Sequence, residues 1–245
     1  MKDWPYPKWI AHRGAGKLAP ENTLAAFELG AKHGYRMFEC DAKLSLDGIV
    51  FLLHDAELER TTDGSGMAGE WEWSRLSQLD AGSWHSAHYA CEKLPTLESL
   101  AHFCISHGYF LNIEIKPTPG TETITGLTVA KEAMRLWQGQ AISPLLTSFK
   151  AQSLSAAKQA APRLPTGLLL DSLWDGWLET AIDLDCVAII CNYKLWNKKL
   201  VEAVHSKNMS CLSYTVNDKE VVDTLITMGT DGIITDQIDT FSPTN

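Results

Sequence analysis

The sequence has 245 residues, of which 45% are hydrophobic and 21% are charged. This composition is sufficient for a large buried core and excludes an intrinsically disordered chain. The formal net charge of −9 repels nucleic acid and anionic membranes, so neither is an expected partner. An anionic small-molecule substrate would need a local cluster of cations to override this global field.

The six cysteines include no Cys-x-x-Cys pair, which argues against a zinc or redox motif. Most of them lie in apolar runs such as 186–191, which is typical of reduced thiols in a core. Residues 1–5 show no hydrophobic signal region, and no apolar stretch approaches the ~20 residues of a membrane span. We therefore expect a cytoplasmic protein without stable membrane association, and the sequence leaves its oligomeric state open.

Short apolar runs alternate with helical patterns along the whole chain. The predicted strands are 9–12, 37–41, 110–115, 145–149, 167–170, 187–192, 211–216 and 232–235. The predicted helices are 23–33, 96–107, 124–137, 151–160, 174–182, 198–207 and 219–228. The strand runs are mostly continuous rather than alternating, as in parallel strands covered on both faces. This pattern predicts α/β architecture, and specifically one (β/α)8 TIM barrel over residues 1–245.

Two irregularities follow the second strand. The turn signal Asp47-Gly48 and the apolar run 49–54 predict a β-hairpin on a two-residue type I′ turn, with His54 opposite Asp41. A structureless loop over 55–95 would be unusually long, so we expect a small inserted subdomain there, over the rim of the barrel. The tryptophans of this insertion, in 71–73, fit either a substrate lid or a local mini-core, and the mini-core is favoured.

Carboxylates mark the predicted mouth of the barrel. Glu39 and Asp41 are two residues apart on one strand, so their side chains point the same way. They lie at its C-terminal end, where barrel active sites are found, and Glu114 and Lys116 repeat the arrangement on the next barrel strand. Three such carboxylates would repel one another, and a divalent cation such as Mg²⁺ or Ca²⁺ would relieve the repulsion. A salt bridge to a nearby Lys or Arg would explain a single glutamate at this position, but it is a poor explanation for three carboxylates on adjacent strand ends.

Two histidines and two cations flank these carboxylates. His12 ends the first strand, and the hairpin brings His54 toward the same place. Two imidazoles beside a metal site suit a reaction that removes one proton and donates another near neutral pH. Arg13 and Lys116 supply local positive charge, and the arginine fork matches the oxygens of a phosphate.

Other motifs carry less weight. The run 14–19 matches the dinucleotide fingerprint G-x-G-x-x-A, with Glu39 about twenty residues later. That fingerprint requires a helix beginning at the glycines, whereas Pro20 delays the helix to a cap at 22–23. The pair Gly16-Lys17 lacks the Ser or Thr of a P-loop, and no Gly-x-Ser-x-Gly elbow of an α/β-hydrolase is present.

An ordered set of motifs resembles the glycerophosphodiester phosphodiesterase family essentially from end to end. The resemblance is carried by Ala11-His12-Arg13-Gly14, Ala19-Pro20-Glu21-Asn22-Thr23, Glu39-Cys40-Asp41, Asp47-Gly48, Leu53-His54-Asp55, Glu59-Arg60-Thr61-Thr62, Glu114-Ile115-Lys116, Tyr214-Thr215-Val216-Asn217 and Asp231-Gly232-Ile233-Ile234-Thr235-Asp236. Within the family, the chain looks most similar to the cytosolic bacterial enzymes linked to glycerol 3-phosphate uptake.

The resemblance implies a barrel with one divalent cation that hydrolyses glycerophosphodiesters to sn-glycerol 3-phosphate and an alcohol. It places metal ligands at Glu39, Asp41 and Glu114, acid–base histidines at His12 and His54, and phosphate contacts at Arg13 and Lys116. It also implies that a glycerol hydroxyl of the substrate attacks first, and that water then opens the cyclic phosphate.

Two aromatic residues are candidates for the wall that contacts the glycerol. Tyr214 stands where many members of the family have Trp before Thr-Val-Asn, so an aromatic side chain is kept while its contacts differ. Phe149 ends the fourth predicted strand and is the second candidate. Either residue could equally serve core packing.

Two further functions stay open at this point. A phospholipase D-like enzyme on the same barrel would act on lipid and would need an apolar or basic rim for docking, which the charge of −9 disfavours. An inactive barrel that senses a phosphate ligand should have lost a histidine or a metal carboxylate, and none is missing here.

Overall fold

The computed structural model describes residues 4–241 and 243. Its helices and strands, in chain order, are β1 (Trp9–Ala11), α1 (Leu24–Lys32), β2 (Met37–Leu44), β3 (Val50–Leu52), α2 (Trp73–Leu76), α3 (Leu97–His107), β4 (Phe110–Ile115), α4 (Glu122–Leu136), β5 (Leu145–Ser148), α5 (Ala151–Ala160), β6 (Thr166–Leu170), α6 (Trp177–Asp183), β7 (Ala188–Asn192), α7 (Lys198–His205), β8 (Ser210–Tyr214), α8 (Lys219–Met228) and β9 (Gly232–Thr235).

Eight parallel strands close into a barrel. The closure is made by β1, which pairs in parallel with β2 on one side and with β9 on the other. The remaining barrel strands pair in the order β2, β4, β5, β6, β7, β8 and β9, with a helix before each new strand. The predicted (β/α)8 TIM barrel is therefore confirmed, and β3 lies outside it as an antiparallel partner of β2.

Alternate residues of the strands fill the interior of the barrel. Ile10, Met37, Leu145 and Ile234 belong to one buried cluster there. The residues between them, such as Phe38, pack against the helices instead. Because successive side chains of a strand point to opposite faces, every second residue after an interior one also points inward. The candidate site residues on β2 and β4 are spaced in this way and therefore point toward the mouth of the barrel, whereas Arg13 and His54 lie in loops.

The hairpin between β2 and β3 differs from its prediction by one residue. Ala42 pairs with Leu52, and the amide of Leu53 donates to the carbonyl of Asp41 at 3.0 Å. The loop has three residues, 46–48, because Gly48 adopts a left-handed conformation (φ +83°) and adds a residue to the predicted turn. The predicted pairing of Asp41 with His54 is therefore wrong. The ladder has ended before His54, and a bend turns this residue toward the barrel mouth.

The segment 55–95 contains α2 and two single 3-10 turns around its own small core. Leu58, Leu76 and Leu94 are buried in this core together with Phe51 of β3. Trp71 and Trp73 pack against the same cluster, which favours the mini-core interpretation of these tryptophans over the lid.

Small differences at the ends of elements have local causes. The helix predicted from Trp174 begins at Trp177, because Gly176 adopts a left-handed conformation (φ +87°) directly before it. The strand predicted to reach Val216 ends at Tyr214, and Phe149 directly follows β5. The helix predicted to begin at Thr23 is capped by that residue, whose side chain accepts from the amide of Ala26.

A glycine in the loop after β1 packs against the residue that follows β9. A Cβ atom on Gly16 would lie 2.2 Å from the carbonyl oxygen of Asp236, and Gly16 has a φ of +56°. Gly34 has a φ of +89° with no atom near its missing Cβ. Comparison of alanine substitutions at these two positions therefore separates the cost of an unfavourable φ from the cost of a steric clash.

We expect Gly16→Ala to lower the free energy of unfolding by about 1–3 kcal/mol more than Gly34→Ala, because only the first change pushes Asp236 away. Urea denaturation followed by circular dichroism measures both values. Equal losses in the two variants would contradict the close packing of this loop against β9.

Candidate active site

A cavity of about 160 Å³ opens at the C-terminal end of the barrel strands. Its lining residues are His12, Arg13, Glu39, His54, Asn112, Glu114, Lys116, Phe149, Leu169, Tyr214, Thr215 and Ile234. Eight of the nine candidate site residues are in this set, and Asp41 lies beneath them beside Glu39 and Glu114. The structure therefore brings all the candidates to one place.

Three carboxylates form the floor of one side of this cavity. Glu39, Asp41 and Glu114 are 3%, 1% and 9% exposed, and each offers an oxygen within 4.8 Å of the others. Oε1 of Glu39 and Oδ1 of Asp41 are buried without a hydrogen-bond partner. Buried polar atoms are nearly always partnered, so a ligand bound between these oxygens would satisfy them. An oxygen-preferring divalent cation fits this donor set.

The electrostatics of the three carboxylates agree with that interpretation. Burial raises the pKa of Glu39 well above its ordinary value, and the charges of Asp41 and Glu114 raise it further. Burial and the charge of Asp41 also raise the pKa of Glu114 to about 7. Burial acts on Asp41 in the same sense, but Arg13, His54 and Lys116 outweigh it and hold the pKa below the usual range. The raised pKa values of Glu39 and Glu114 thus reflect, in part, a repulsion that a bound cation would relieve.

The loop between β1 and α1 holds the carboxylates in position. Asn22 donates its side-chain amide to Oδ2 of Asp41 at 2.8 Å and accepts from the amide of Asp41 at 3.1 Å. The backbone amide of Arg13 donates to Oε2 of Glu39 at 3.1 Å. Both Arg13 and Asn22 have a positive φ, which turns the loop back over the strand ends.

Three cations surround the carboxylates. Nε of Arg13 lies 3.2 Å from Oδ2 of Asp41, and Nζ of Lys116 lies 2.8 Å from Oε1 of Glu114. Lys43, two residues beyond Asp41 on the same strand, is 1% exposed and donates to the carbonyl of Lys116 at 3.1 Å. Burial lowers the pKa of Lys43 to about 8. These cations offset the negative charge of the three buried carboxylates.

Each of the two histidines is held by an aspartate. Nδ1 of His12 lies 2.6 Å from Oδ1 of Asp236, and Nδ1 of His54 lies 2.6 Å from Oδ1 of Asp55. A carboxylate on Nδ1 favours the tautomer that carries its proton there, which leaves Nε2 free to exchange a proton. Nε2 of His12 lies 3.8 Å from Oε2 of Glu39. Burial lowers the pKa of His54, as do the charges of Arg13 and Lys116.

Two aromatic rings form the opposite wall of the cavity. The rings of Phe149 and Tyr214 meet edge to face with centroids 5.8 Å apart. Nζ of Lys116 lies 5.5 Å from the ring centroid of Phe149, and the hydroxyl of Tyr214 donates to the carbonyl of Leu170 at 3.0 Å. The aromatic face is thereby fixed next to the cationic part of the cavity.

Sequence reasoning did not assign several residues that shape the site. Asp236, Asp55 and Asn22 belong to motifs that carry the family resemblance, but the motifs alone did not show what these side chains contact. Asn112 lines the cavity and accepts from Thr147 at 2.9 Å. Its spacing of two residues before Glu114 on an inward-facing strand was the available signal.

A second group of metal-binding side chains, His205, Cys211 and Asp231, lies at the other end of the strands. Cys211 is near the start of β8, and Asp231 directly precedes β9. Oδ2 of Asp231 already accepts from Nε2 of His205 at 2.8 Å and from the amide of Cys211 at 2.7 Å. These contacts satisfy the aspartate and tie helix α7 to the sheet.

Comparison with known proteins gives a consistent result. The profile of the "Glycerophosphoryl diester phosphodiesterase family" matches residues 12–240. A glycerophosphodiester phosphodiesterase of Caldanaerobacter subterraneus subsp. tengcongensis is 33% identical over 238 residues, covering 94% of each chain. A glycerophosphodiester phosphodiesterase of Bacillus subtilis is 30% identical over 247 residues, covering 95% of this chain and 84% of that one.

A solved structure is also similar over nearly the whole chain. It is a phosphodiesterase of Oleispira antarctica in complex with the product sn-glycerol-3-phosphate, with a TM-score of 0.89 and 32% sequence identity. The match covers 96% of this chain and 95% of that one. Among the residues described here, no helix has both the length and the apolar character that crossing a bilayer requires.

We expect Mg²⁺ or Ca²⁺ to raise the melting temperature of the protein, because a ligand of the folded state stabilises it by mass action. Glu39→Gln should raise the melting temperature of the metal-free protein near neutral pH, since a buried carboxyl with a raised pKa costs stability there, and it should weaken the effect of the cation. Differential scanning calorimetry with and without cation tests both statements.

The control for this experiment is Asp231→Asn, which alters the other candidate cluster. We expect this variant to keep the full rise in melting temperature on addition of the cation, even if its starting value is lower. A Glu39→Gln protein that responds to the cation like the wild type would contradict the carboxylate site.

Proposed function

The chain belongs to the glycerophosphoryl diester phosphodiesterase family, and we propose that it hydrolyses glycerophosphodiesters with the help of one divalent cation. The substrates we propose are small molecules such as glycerophosphocholine and glycerophosphoethanolamine, and the products are sn-glycerol 3-phosphate and an alcohol. The observation that carries this proposal is the convergence of two histidines, three carboxylates and two cations on one cavity. The organisation as one barrel domain with an insertion at 55–95 and the cytoplasmic location stay predictions.

Glu39, Asp41 and Glu114 are the residues that we propose as ligands of a Mg²⁺ or Ca²⁺ ion. The unpartnered oxygens of Glu39 and Asp41 support this assignment, because a buried carboxylate oxygen is costly unless it is hydrogen-bonded or bound to a cation. Such an ion would polarise a phosphoryl oxygen and offset the negative charge that develops on it.

His12 and His54 are the acid–base pair in this proposal. One imidazole accepts the proton of a glycerol hydroxyl as its oxygen attacks phosphorus, and the other donates a proton to the oxygen of the departing alcohol. Water then opens the resulting cyclic phosphate, and the two protons move in the reverse sense. The aspartates at 2.6 Å from each Nδ1 support this role, since they leave each Nε2 as the exchanging atom.

Arg13 and Lys116 are proposed to hold the phosphate. Both side chains are mostly buried and line the cavity, so each is within reach of a phosphate bound there. Arginine offers two parallel donors to phosphate oxygens, whereas lysine acts as a point charge. Phe149 and Tyr214 are proposed to contact the carbon atoms of the glycerol from the other side.

One observation favours the lipid alternative. Leu173 and Trp174, in the loop after β6, are 44% and 43% exposed and lie at the same end of the barrel as the cavity. Two exposed apolar side chains do not make a docking surface by themselves. Comparison of turnover for glycerophosphocholine and lysophosphatidylcholine distinguishes the two functions, and we expect the enzyme to prefer glycerophosphocholine.

The principal test is release of sn-glycerol 3-phosphate from glycerophosphocholine. We expect the purified protein to lose this activity on thorough chelation and to regain it when Mg²⁺ or Ca²⁺ is added back. Comparing the two cations also identifies the preferred metal. Full activity after chelation, verified by metal analysis of the sample, would contradict the proposed dependence on a cation.

We expect His12→Ala and His54→Ala each to lower kcat by roughly 10²–10⁴-fold, as removal of a general acid or base does. His102→Ala is the control, because this exposed histidine on α3 lies outside the cavity and should leave kcat unchanged. A His12→Ala enzyme with wild-type activity would overturn its assignment.

A further inference from the structure

One arginine of the inserted segment connects two of the proposed functional side chains. Arg60 donates to both carboxylate oxygens of Glu21, each at 2.8 Å, and also to the carboxylate of Asp55. Glu21 accepts in turn from Nη1 of Arg13 at 2.7 Å. Asp55 is the aspartate that contacts Nδ1 of His54. An unbroken chain of charged contacts therefore runs from His54 through Arg60 to Arg13.

Arg60 is not part of the cavity itself. Its side chain is 44% exposed, and it is absent from the lining of the cavity, whereas Arg13 and His54 both line it. The direct contacts of Arg60 with the site therefore run through Glu21 and Asp55. Its guanidinium is suited to this arrangement, because the planar fork can engage two carboxylates at fixed angles.

The charge of Arg60 also matters for a phosphate site. Glu21 and Asp55 would otherwise bring two negative charges to the rim where the substrate phosphate must approach. Hydrogen bonds from Arg60 lower the pKa of both carboxyls and keep them ionised, even though burial acts in the opposite sense. With Arg60 in place, these carboxylates orient Arg13 and His54 while much of their charge is neutralised.

We propose that Arg60 is a positioning residue that sets the orientation of Arg13 through Glu21 and that of His54 through Asp55. This inference rests on the proposed function. It also gives the inserted segment a role beyond its mini-core, since it carries the residue that links both sides of the site. Outer residues of this kind typically change activity or ligand affinity by about 10–100-fold when they are replaced.

We expect Arg60→Met to lower kcat/KM for glycerophosphocholine by about 10–100-fold. We expect KM to rise and kcat to fall, because a misplaced Arg13 weakens phosphate binding and a misplaced His54 slows proton transfer. Binding of sn-glycerol 3-phosphate, measured as its inhibition constant, should weaken in parallel. Arg60→Lys keeps the charge but loses the fork, so its kcat/KM should lie between those of Arg60→Met and the wild type.

The matched control is Arg135→Met. Arg135 lies on α4, is 56% exposed, and also bridges two carboxylates, those of Glu98 and Glu132, but it has no contact with the cavity. Both variants should lose similar thermal stability, whereas only Arg60→Met should lose activity. Wild-type kcat/KM in Arg60→Met would overturn the inference. An equal decrease of kcat/KM in Arg60→Met and Arg135→Met would also overturn it.

A double-mutant cycle tests the proposed route. If Arg60 acts through Glu21, then Glu21→Gln and Arg60→Met together should raise the inhibition constant of sn-glycerol 3-phosphate no more than the larger single effect. If the two substitutions instead raise the inhibition constant by the product of their single effects, the proposed route through Glu21 is wrong.

The failure of this inference can be distinguished from the failure of the proposed function. A wild-type protein that releases no glycerol 3-phosphate would contradict both. An active wild type together with an Arg60→Met variant of unchanged kcat/KM would contradict the inference alone.

Discussion

The burial of three carboxylates side by side is the constraint around which the mouth of this barrel is organised. Glu39, Asp41 and Glu114 are almost inaccessible to water, so their charges are poorly solvated and repel one another. The side chains of Asn22, Arg13 and Lys116 offset part of this cost through direct contacts. A cation bound between the three carboxylates would account for their oxygens that have no hydrogen-bond partner, which packing alone does not.

The two histidines proposed for acid–base catalysis are each held by an aspartate that is not proposed to react. His12 depends on Asp236, which accepts at its other oxygen from the side chain of Asn217 at 2.9 Å. His54 depends on Asp55, which is held by Arg60. The two dyads thus differ in their outer partner, which is a neutral amide in one case and a cation in the other. The barrel supplies the first dyad from its closing strands, and the hairpin and insertion supply the second.

Much of the fold followed from the sequence, because continuous apolar runs of strand length specify buried parallel strands with little ambiguity. The spacing of two residues also placed Glu39, Asp41, Glu114 and Lys116 on the inner face. The hairpin register was less predictable, because a left-handed Gly48 permits a three-residue loop as readily as a two-residue one. The contact of His12 with Asp236 joins residues 224 positions apart, and no local pattern encodes such a pairing.

The pairing of β1 with β9 has a consequence for how the protein is made. His12 follows β1, while its aspartate follows β9, which is synthesised some 220 residues later. A nascent chain can therefore fold its early strands without possessing an oriented His12. If His12 acts as proposed, an oriented imidazole is available only after β9 has closed the barrel, and a chain shortened before β9 would lack it.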